Sequence, residues 1–170
     1  MPEPAQIQRS EGFVEARFSV AFDHPADEVW SHLTDPARLP QWMASGEVGQ
    51  ALGAPVHLDF GDSGVVVDSV VTAFEPGCLL QYAWSAKGDP ERPLTWRVEP
   101  NGKGRSRLEL VVRIPEGEDA ARGFAGWDAH LEMLAAALEN VAIKFPFEHF
   151  KERRAHYAAQ LQGAQVAPAG

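Results

Sequence analysis

From Phe13 to Phe22 the chain alternates. Val14, Ala16, Phe18, Val20 and Phe22 are apolar, and Glu15, Arg17 and Ser19 stand between them. This two-residue period predicts a strand with one wet face. It stops at Asp23-His24-Pro25, where Pro25 suits the first turn of a helix and Asp27 and Glu28 favour its positive end. Ala26, Val29, Trp30 and Leu33 then recur at helical spacing. Thr34-Asp35-Pro36 repeats the start signal, with Leu39, Trp42 and Met43 as the apolar face of a second short helix. Residues 44–54 read as a loop.

A run of strands follows. Val56, Leu58 and Phe60 alternate with His57 and Asp59, and Asp62-Ser63-Gly64 reads as a hairpin turn. Val65 to Phe74 is apolar and β-branched, with its alternation broken near Asp68-Ser69, which predicts a bulge there. Glu75-Pro76-Gly77 is the next turn. Leu80, Tyr82 and Trp84 alternate in the following strand, then Leu94, Trp96 and Val98 after a loop. Pro100 to Gly104 is a hairpin signal, and Leu108, Leu110 and Val112 mark the last strand. Short connections between successive strands make the sheet antiparallel.

After Glu116-Gly117 the period changes. Phe124, Trp127, Leu131, Leu134, Leu138 and Val141 step by three and four along one helical stripe. A helix from Asp119 to Val141 is roughly 34 Å long at 1.5 Å per residue. Pro146 ends or bends it, and Phe147 to Leu161 reads as a final turn or two of helix. The ends, residues 1–10 and 162–170, are rich in Pro, Gln, Ala and Gly and read as flexible. One domain over residues 11–161 is the expected organisation.

The class is therefore α+β: a strand, two short helices, five or six more strands and one long helix. A helix about 10–12 Å across cannot cover a sheet roughly 30 Å wide. The sheet must curl around it, and large side chains or a cavity must fill what is left. Trp42, Trp84, Trp96 and Trp127 all fall on faces assigned to the inside.

Charge and cysteine usage narrow the partners. Fifteen Lys and Arg against 24 Asp and Glu give a formal charge of −9. That field repels phosphate backbones and anionic lipid, so neither nucleic acid nor a membrane surface is an expected partner. No run of about 18 apolar residues predicts a membrane span. The polar first ten residues lack a signal peptide's apolar core, which makes a cytoplasmic location the expectation. Cys78, the single cysteine, reads as an inert strand residue.

Three segments then carry a resemblance. They are Leu33-Thr34-Asp35-Pro36 followed by Trp42; Leu79-Leu80-Gln81-Tyr82-Ala83-Trp84; and Gly126-Trp127-Asp128-Ala129-His130-Leu131 with Leu134 and Leu138. In this order the chain resembles, over about residues 12–160, the family named for the activator of Hsp90 ATPase. That family belongs to the START-like, or SRPBCC, superfamily. The resemblance implies the helix-grip (START/Bet v 1-like) fold, in which a curved antiparallel sheet wraps a long C-terminal helix. It also implies a deep apolar cavity between sheet and helix, which in the wider superfamily holds lipids, hormones or polyketides. Some superfamily members are cyclases or other enzymes. The eukaryotic co-chaperones of the family carry a separate N-terminal domain that these 170 residues do not include.

Candidate chemistry is sparse. The six histidines, His24, His32, His57, His130, His149 and His156, form no metal motif, and solvated surface positions explain them better. There is no nucleophile elbow. Asp68 and Ser69 read as ordinary strand polar groups, and Gly102-Lys103-Gly104 as a turn. His130 lies three residues after Trp127 and four before Leu134, so all three adjoin on the long helix. It serves as a cavity anchor or an acid–base group, or else sits half exposed at the stripe's edge. Gly123 and Gly126 suggest a close backbone approach at the start of this helix. Trp42, Tyr82, Trp84, Trp96, Trp127 and His130, with Leu131 and Leu134 as apolar wall, are the expected lining of a site for a small apolar or aromatic molecule. No catalytic residue, cofactor or metal is assigned. The alternatives are a cyclase- or hydrolase-like enzyme using His130, and a protein-interaction module; a homodimer is left open.

Overall fold

The computed structural model describes residues 3–61, 64–86 and 88–166. Strand β1 (Gln6–Ser10) turns at Glu11-Gly12 into β2 (Phe13–Phe22). Both turn residues have positive φ, 53° and 83°, as a tight two-residue hairpin requires. Helix α1 (Ala26–Thr34) and a 3-10 turn (Leu39–Gln41) follow. Then come β3 (Ser45–Val48), β4 (Pro55–Asp59), β5 (Val66–Glu75), β6 (Leu79–Ala83), β7 (Pro93–Pro100) and β8 (Ser106–Pro115). Two helices close the chain, α2 (Ala120–Leu138) and α3 (Phe147–Val166).

All eight strands form one antiparallel sheet in the order β1-β2-β8-β7-β6-β5-β4-β3. Helix α1 and the 3-10 turn carry the chain from β2 to the far edge at β3. The meander from β3 to β8 then brings it back beside β2. Residues 13–22 pair with residues 106–115 over ten positions, from Phe13 opposite Pro115 to Phe22 opposite Ser106. The α+β helix-grip architecture is thus present, with α2 as the gripped helix. Its buried stripe of Phe124, Trp127, Leu131, Leu134 and Leu138 joins the core of Val14, Phe18, Leu80, Tyr82, Leu94, Trp96, Leu108 and Leu110.

Four expectations change. Residues 6–10, read as a flexible end, form β1, with Ile7 opposite Ala16. The loop expected over 44–54 contains β3. Gly46 faces Leu58 there, and a Cβ on Gly46 would lie 1.9 Å from the His57 carbonyl oxygen. Both are short, largely polar edge strands, which carry little two-residue apolar signal. The bulge expected near Asp68-Ser69 lies between Val71 and Ala73. The closing turn or two of helix is a full 20-residue helix, because α3 has a partner in α2 that its own pattern does not announce. Asp62 and Ser63 of the expected hairpin turn lie outside the described residues.

Helix α2 runs from Ala120 to Leu138, about 28 Å, and Val141 lies beyond it, exposed. Asp119 caps its N-terminus, accepting from the Arg122 amide at 3.1 Å. The close backbone approach expected at both helix glycines is found at neither; at Gly123 the neighbour is a side chain. A Cβ on Gly123 would lie 2.6 Å from Ile114 Cδ1, whereas nothing lies within 4 Å of one on Gly126.

Candidate functional site

Four of the five tryptophans fall into two layers, separated by what their polar ends do. Trp42 is fully buried and ties two helices together. Its indole N–H donates to the His32 carbonyl in α1 at 2.7 Å, and its own carbonyl accepts from His130 Nδ1 in α2 at 2.9 Å. The 3-10 turn Leu39–Gln41 sets this position, since Trp42 directly follows it. Trp96 on β7 is also fully buried, and its indole N–H donates to the Tyr82 hydroxyl on β6 at 3.3 Å. Burial holds the Tyr82 hydroxyl well above its ordinary pKa despite that bond, so it stays neutral. Trp42 and Trp96 meet edge to face at 5.9 Å between ring centroids. Leu131 and Leu134 are buried beside this layer.

The second layer is a closed circuit of four rings. Phe60 meets Trp84 at 5.6 Å, Trp84 meets Trp127 at 4.8 Å, Trp127 meets His130 at 6.0 Å, and His130 meets Phe60 at 5.9 Å. Trp96 joins the circuit to the layer beneath through Trp127, at 5.5 Å. Phe145 adds a further ring against His130 at 5.7 Å, and Phe150 packs on Phe145 at 5.6 Å. Offset and edge-to-face pairs of this kind contribute about 0.5–1.5 kcal/mol each beyond their burial.

Strand ends place the circuit. Phe60 follows the last residue of β4, and Trp84 follows the last residue of β6. Arg92 holds Trp84 from both sides of its peptide. The Trp84 amide donates to the Arg92 carbonyl at 2.7 Å, and the Arg92 guanidinium donates to the Trp84 carbonyl at 3.3 Å. The same guanidinium is fixed by the Glu118 carboxylate, just before α2, at 2.7 and 3.2 Å. Such a two-pronged charge-assisted pair is rigid as well as strong.

Polar ends in the circuit differ from those beneath it. Among the described residues none accepts from the indole N–H of Trp84 or Trp127, and none pairs with His130 Nε2. None of these three atoms is among the buried polar atoms without a partner, so each reaches solvent. Trp84, Phe60, His130 and Phe145 are half-buried, and Trp127 is buried. Burial holds the His130 imidazole below its ordinary pKa, opposed by its bond to the Trp42 carbonyl.

Asp59 and Asp68 are both exposed. Asp59 accepts from the Gly61 amide, and Ser69 donates to the Ala83 carbonyl. Cys78 lies in the turn between β5 and β6 rather than in a strand, and its thiol donates to the Glu75 carboxylate, which raises its pKa. Two histidines expected at the surface are buried, His32 at 1% exposure and His149 at 7%. Phe60, Phe145 and Phe150 are the aromatic contacts that sequence reasoning missed for this site; Phe60 was read only as an apolar strand position. The Phe145-Pro146-Phe147 run after the helix end was the available signal.

A groove of about 230 Å³ lies elsewhere, lined by Gln41, Ala137, Asn140, Val141 and Ala142. It holds no titratable group and none of the circuit rings.

A family model, that of the activator of Hsp90 ATPase homolog 1-like protein, matches residues 23–139. No curated protein matches the chain. Among solved structures, CalU16 from Micromonospora echinospora is similar with TM-score 0.75 at 21% identity, covering 91% of this chain and 95% of that one. EF2215 from Enterococcus faecalis, described as a conserved protein of unknown function, has TM-score 0.79 at 16% identity over 94% and 91%. These two likenesses bear on the fold alone. DynU16, described as a protein of the dynemicin biosynthetic locus, is 33% identical over 76% of this chain with TM-score 0.65, and the match spans 48% of DynU16.

Proposed function

Because the chain belongs to the activator of Hsp90 ATPase homolog 1-like family, we propose that it holds a small apolar molecule with an aromatic body against the circuit of Phe60, Trp84, Trp127 and His130. The observation that carries this reading is the contrast between paired and unpaired indoles. Trp42 and Trp96 direct their N–H groups to protein acceptors, as core residues do. Trp84 and Trp127 keep theirs without a protein partner among the described residues and open to solvent, at the edge of a cluster of rings. An apolar wall with a few unpaired polar groups is what a small-molecule site offers. The similarity to DynU16, a protein of a biosynthetic locus, lends further support. On this reading Trp42, Tyr82, Trp96, Leu131 and Leu134 form the floor, and the circuit makes the contacts.

A binding role fits better than acid–base catalysis. The described hydrogen bonds join His130 to a main-chain carbonyl and to no carboxylate. An imidazole without a titratable partner can anchor a ligand more readily than it can cycle protons.

Titration with N-phenyl-1-naphthylamine, a neutral apolar fluorophore, tests the reading. The expected result is saturable one-to-one binding that Trp84→Ala weakens about tenfold or more, the effect of removing an aromatic anchor. No saturable binding to the folded protein, or equal affinity in Trp84→Ala, contradicts it.

A further inference from the structure

The circuit's polar atoms have a direction, and it selects among aromatic ligands. His130 Nδ1 lies 2.9 Å from the Trp42 main-chain carbonyl oxygen, which can only accept. Nδ1 therefore carries the proton of the neutral ring, and Nε2 is left as a bare acceptor. Among the described residues nothing donates to Nε2. Around it stand the rings of Phe60, Trp127 and Phe145 at 5.7–6.0 Å between centroids. The nearest unpaired polar groups in the circuit are two donors, the indole N–H groups of Trp84 and Trp127.

We propose that the ligand is a hydroxylated aromatic of the phenol class, whose hydroxyl donates to His130 Nε2 while its ring lies against the Trp84–Trp127 pair. This rests on the binding reading above and narrows it. A phenolic hydroxyl matches the set of atoms better than other small polar groups. Its proton meets the one acceptor, and its lone pairs are open to an indole N–H. A carbonyl or ether leaves Nε2 facing a second acceptor. A carboxylate does the same, with charge added in a protein of net charge −9. Depressed basicity from burial keeps the imidazole in its neutral, accepting form near neutral pH. The Trp42 carbonyl is a positioning group here: it fixes the tautomer by holding Nδ1–H, as a second partner does for other functional histidines.

The experiment is a thermodynamic cycle by calorimetry. 2-Naphthol and 2-methoxynaphthalene are titrated into the full chain and into His130→Phe. They share ring and oxygen and differ in the donated proton. The expected preference of the full chain for 2-naphthol is about tenfold, the effect of a ligand covering an acceptor without bonding it. In His130→Phe that preference falls to about onefold, and His130→Gln, whose amide oxygen accepts, restores part of it. Equal affinities in the full chain overturn the proposal, as does a preference that survives in His130→Phe. Equal but saturable binding of both compounds leaves the aromatic-binding reading standing and removes only the hydroxyl. Failure of both to bind removes both readings. Should the variants not fold, ¹⁵N NMR of the unmodified protein decides: an unprotonated Nε2 with protonated Nδ1 is expected, and an Nε2–H tautomer overturns the proposal.

Discussion

Asp128 and His130 are two residues apart on α2, and so about 200° apart around it. They stand on opposite edges of the same apolar stripe, and their surroundings differ in kind. On the His130 side the neighbours are rings, and the unpaired polar atoms belong to half-buried Trp84 and His130 and to buried Trp127. On the Asp128 side the neighbours are polar and buried, and both ring nitrogens of His149 lie there without a hydrogen-bond partner among the described residues. The Tyr157 hydroxyl donates to Asp128 and accepts from the Ala5 amide at 2.9 Å, and Arg153 and His149 add their charge interaction. Asp128 is 1% exposed and Tyr157 is fully buried. One edge reads as a place to put something. The other reads as a latch between α2, α3 and the start of β1. A polar group without a partner points outward to a ligand only where a ligand can reach it.

The largest effect expected from disturbing either edge lies in the aromatic interior. Trp96→Ala removes a fully buried indole that contacts both Trp42 and Trp127. It should cost about 3–5 kcal/mol of stability in chemical denaturation. A loss under 1 kcal/mol would mean that the rings are loosely packed.

The latch comes next. Tyr157→Phe keeps the ring against Phe124 but removes the hydroxyl from both Asp128 and the Ala5 amide. A cost of about 1–3 kcal/mol is expected. Faster amide exchange over residues 5–10 should accompany it; unchanged exchange there would detach β1 from the latch.

Gly126→Ala should stabilise by up to about 1 kcal/mol, since the added methyl meets nothing within 4 Å. Gly123→Ala should show no such gain, because Ile114 must move. Equal gains at both sites would show that Ile114 yields freely.

The subtlest difference is one of pH. Burial raises the Asp128 pKa above its ordinary 3.8, outweighing its bond from Tyr157. The folded chain therefore keeps this proton longer than the unfolded chain does, and stability falls as pH rises from about 3.8 through the raised value. Asp128→Asn lacks that fall. Denaturation curves should put the two proteins level in acid, with the variant gaining relative to the parent as pH rises. The opposite slope would mean that the charged carboxylate is the favoured buried form.

The two edges were unequally legible in the sequence. Trp127, Leu131 and Leu134 announced the ring side through their spacing, and the strands carrying Tyr82, Trp84 and Trp96 alternated cleanly. On the latch side Tyr157 reads from the sequence, with Phe150 and Leu161, as the apolar side of the closing helix, and it is buried; His149 and Arg153, eight and four residues before it, were illegible because they are polar types that periodicity counts as surface. The same reason hid the full length of α3. What no spacing conveys is which indoles have acceptors. That depends on the His32 carbonyl and the Tyr82 hydroxyl reaching Trp42 and Trp96, across ten and fourteen residues of chain.

The five tryptophans supply five indole N–H signals, and ¹H–¹⁵N NMR during titration with N-phenyl-1-naphthylamine is the most direct test of the binding claim. Saturable shifts are predicted for Trp84 and Trp127, with Trp30, whose N–H donates to Gln50 on another part of the fold, left unmoved. Trp84 and Trp127 signals that stay fixed while the probe binds, or shifts spread evenly over all five, would contradict it.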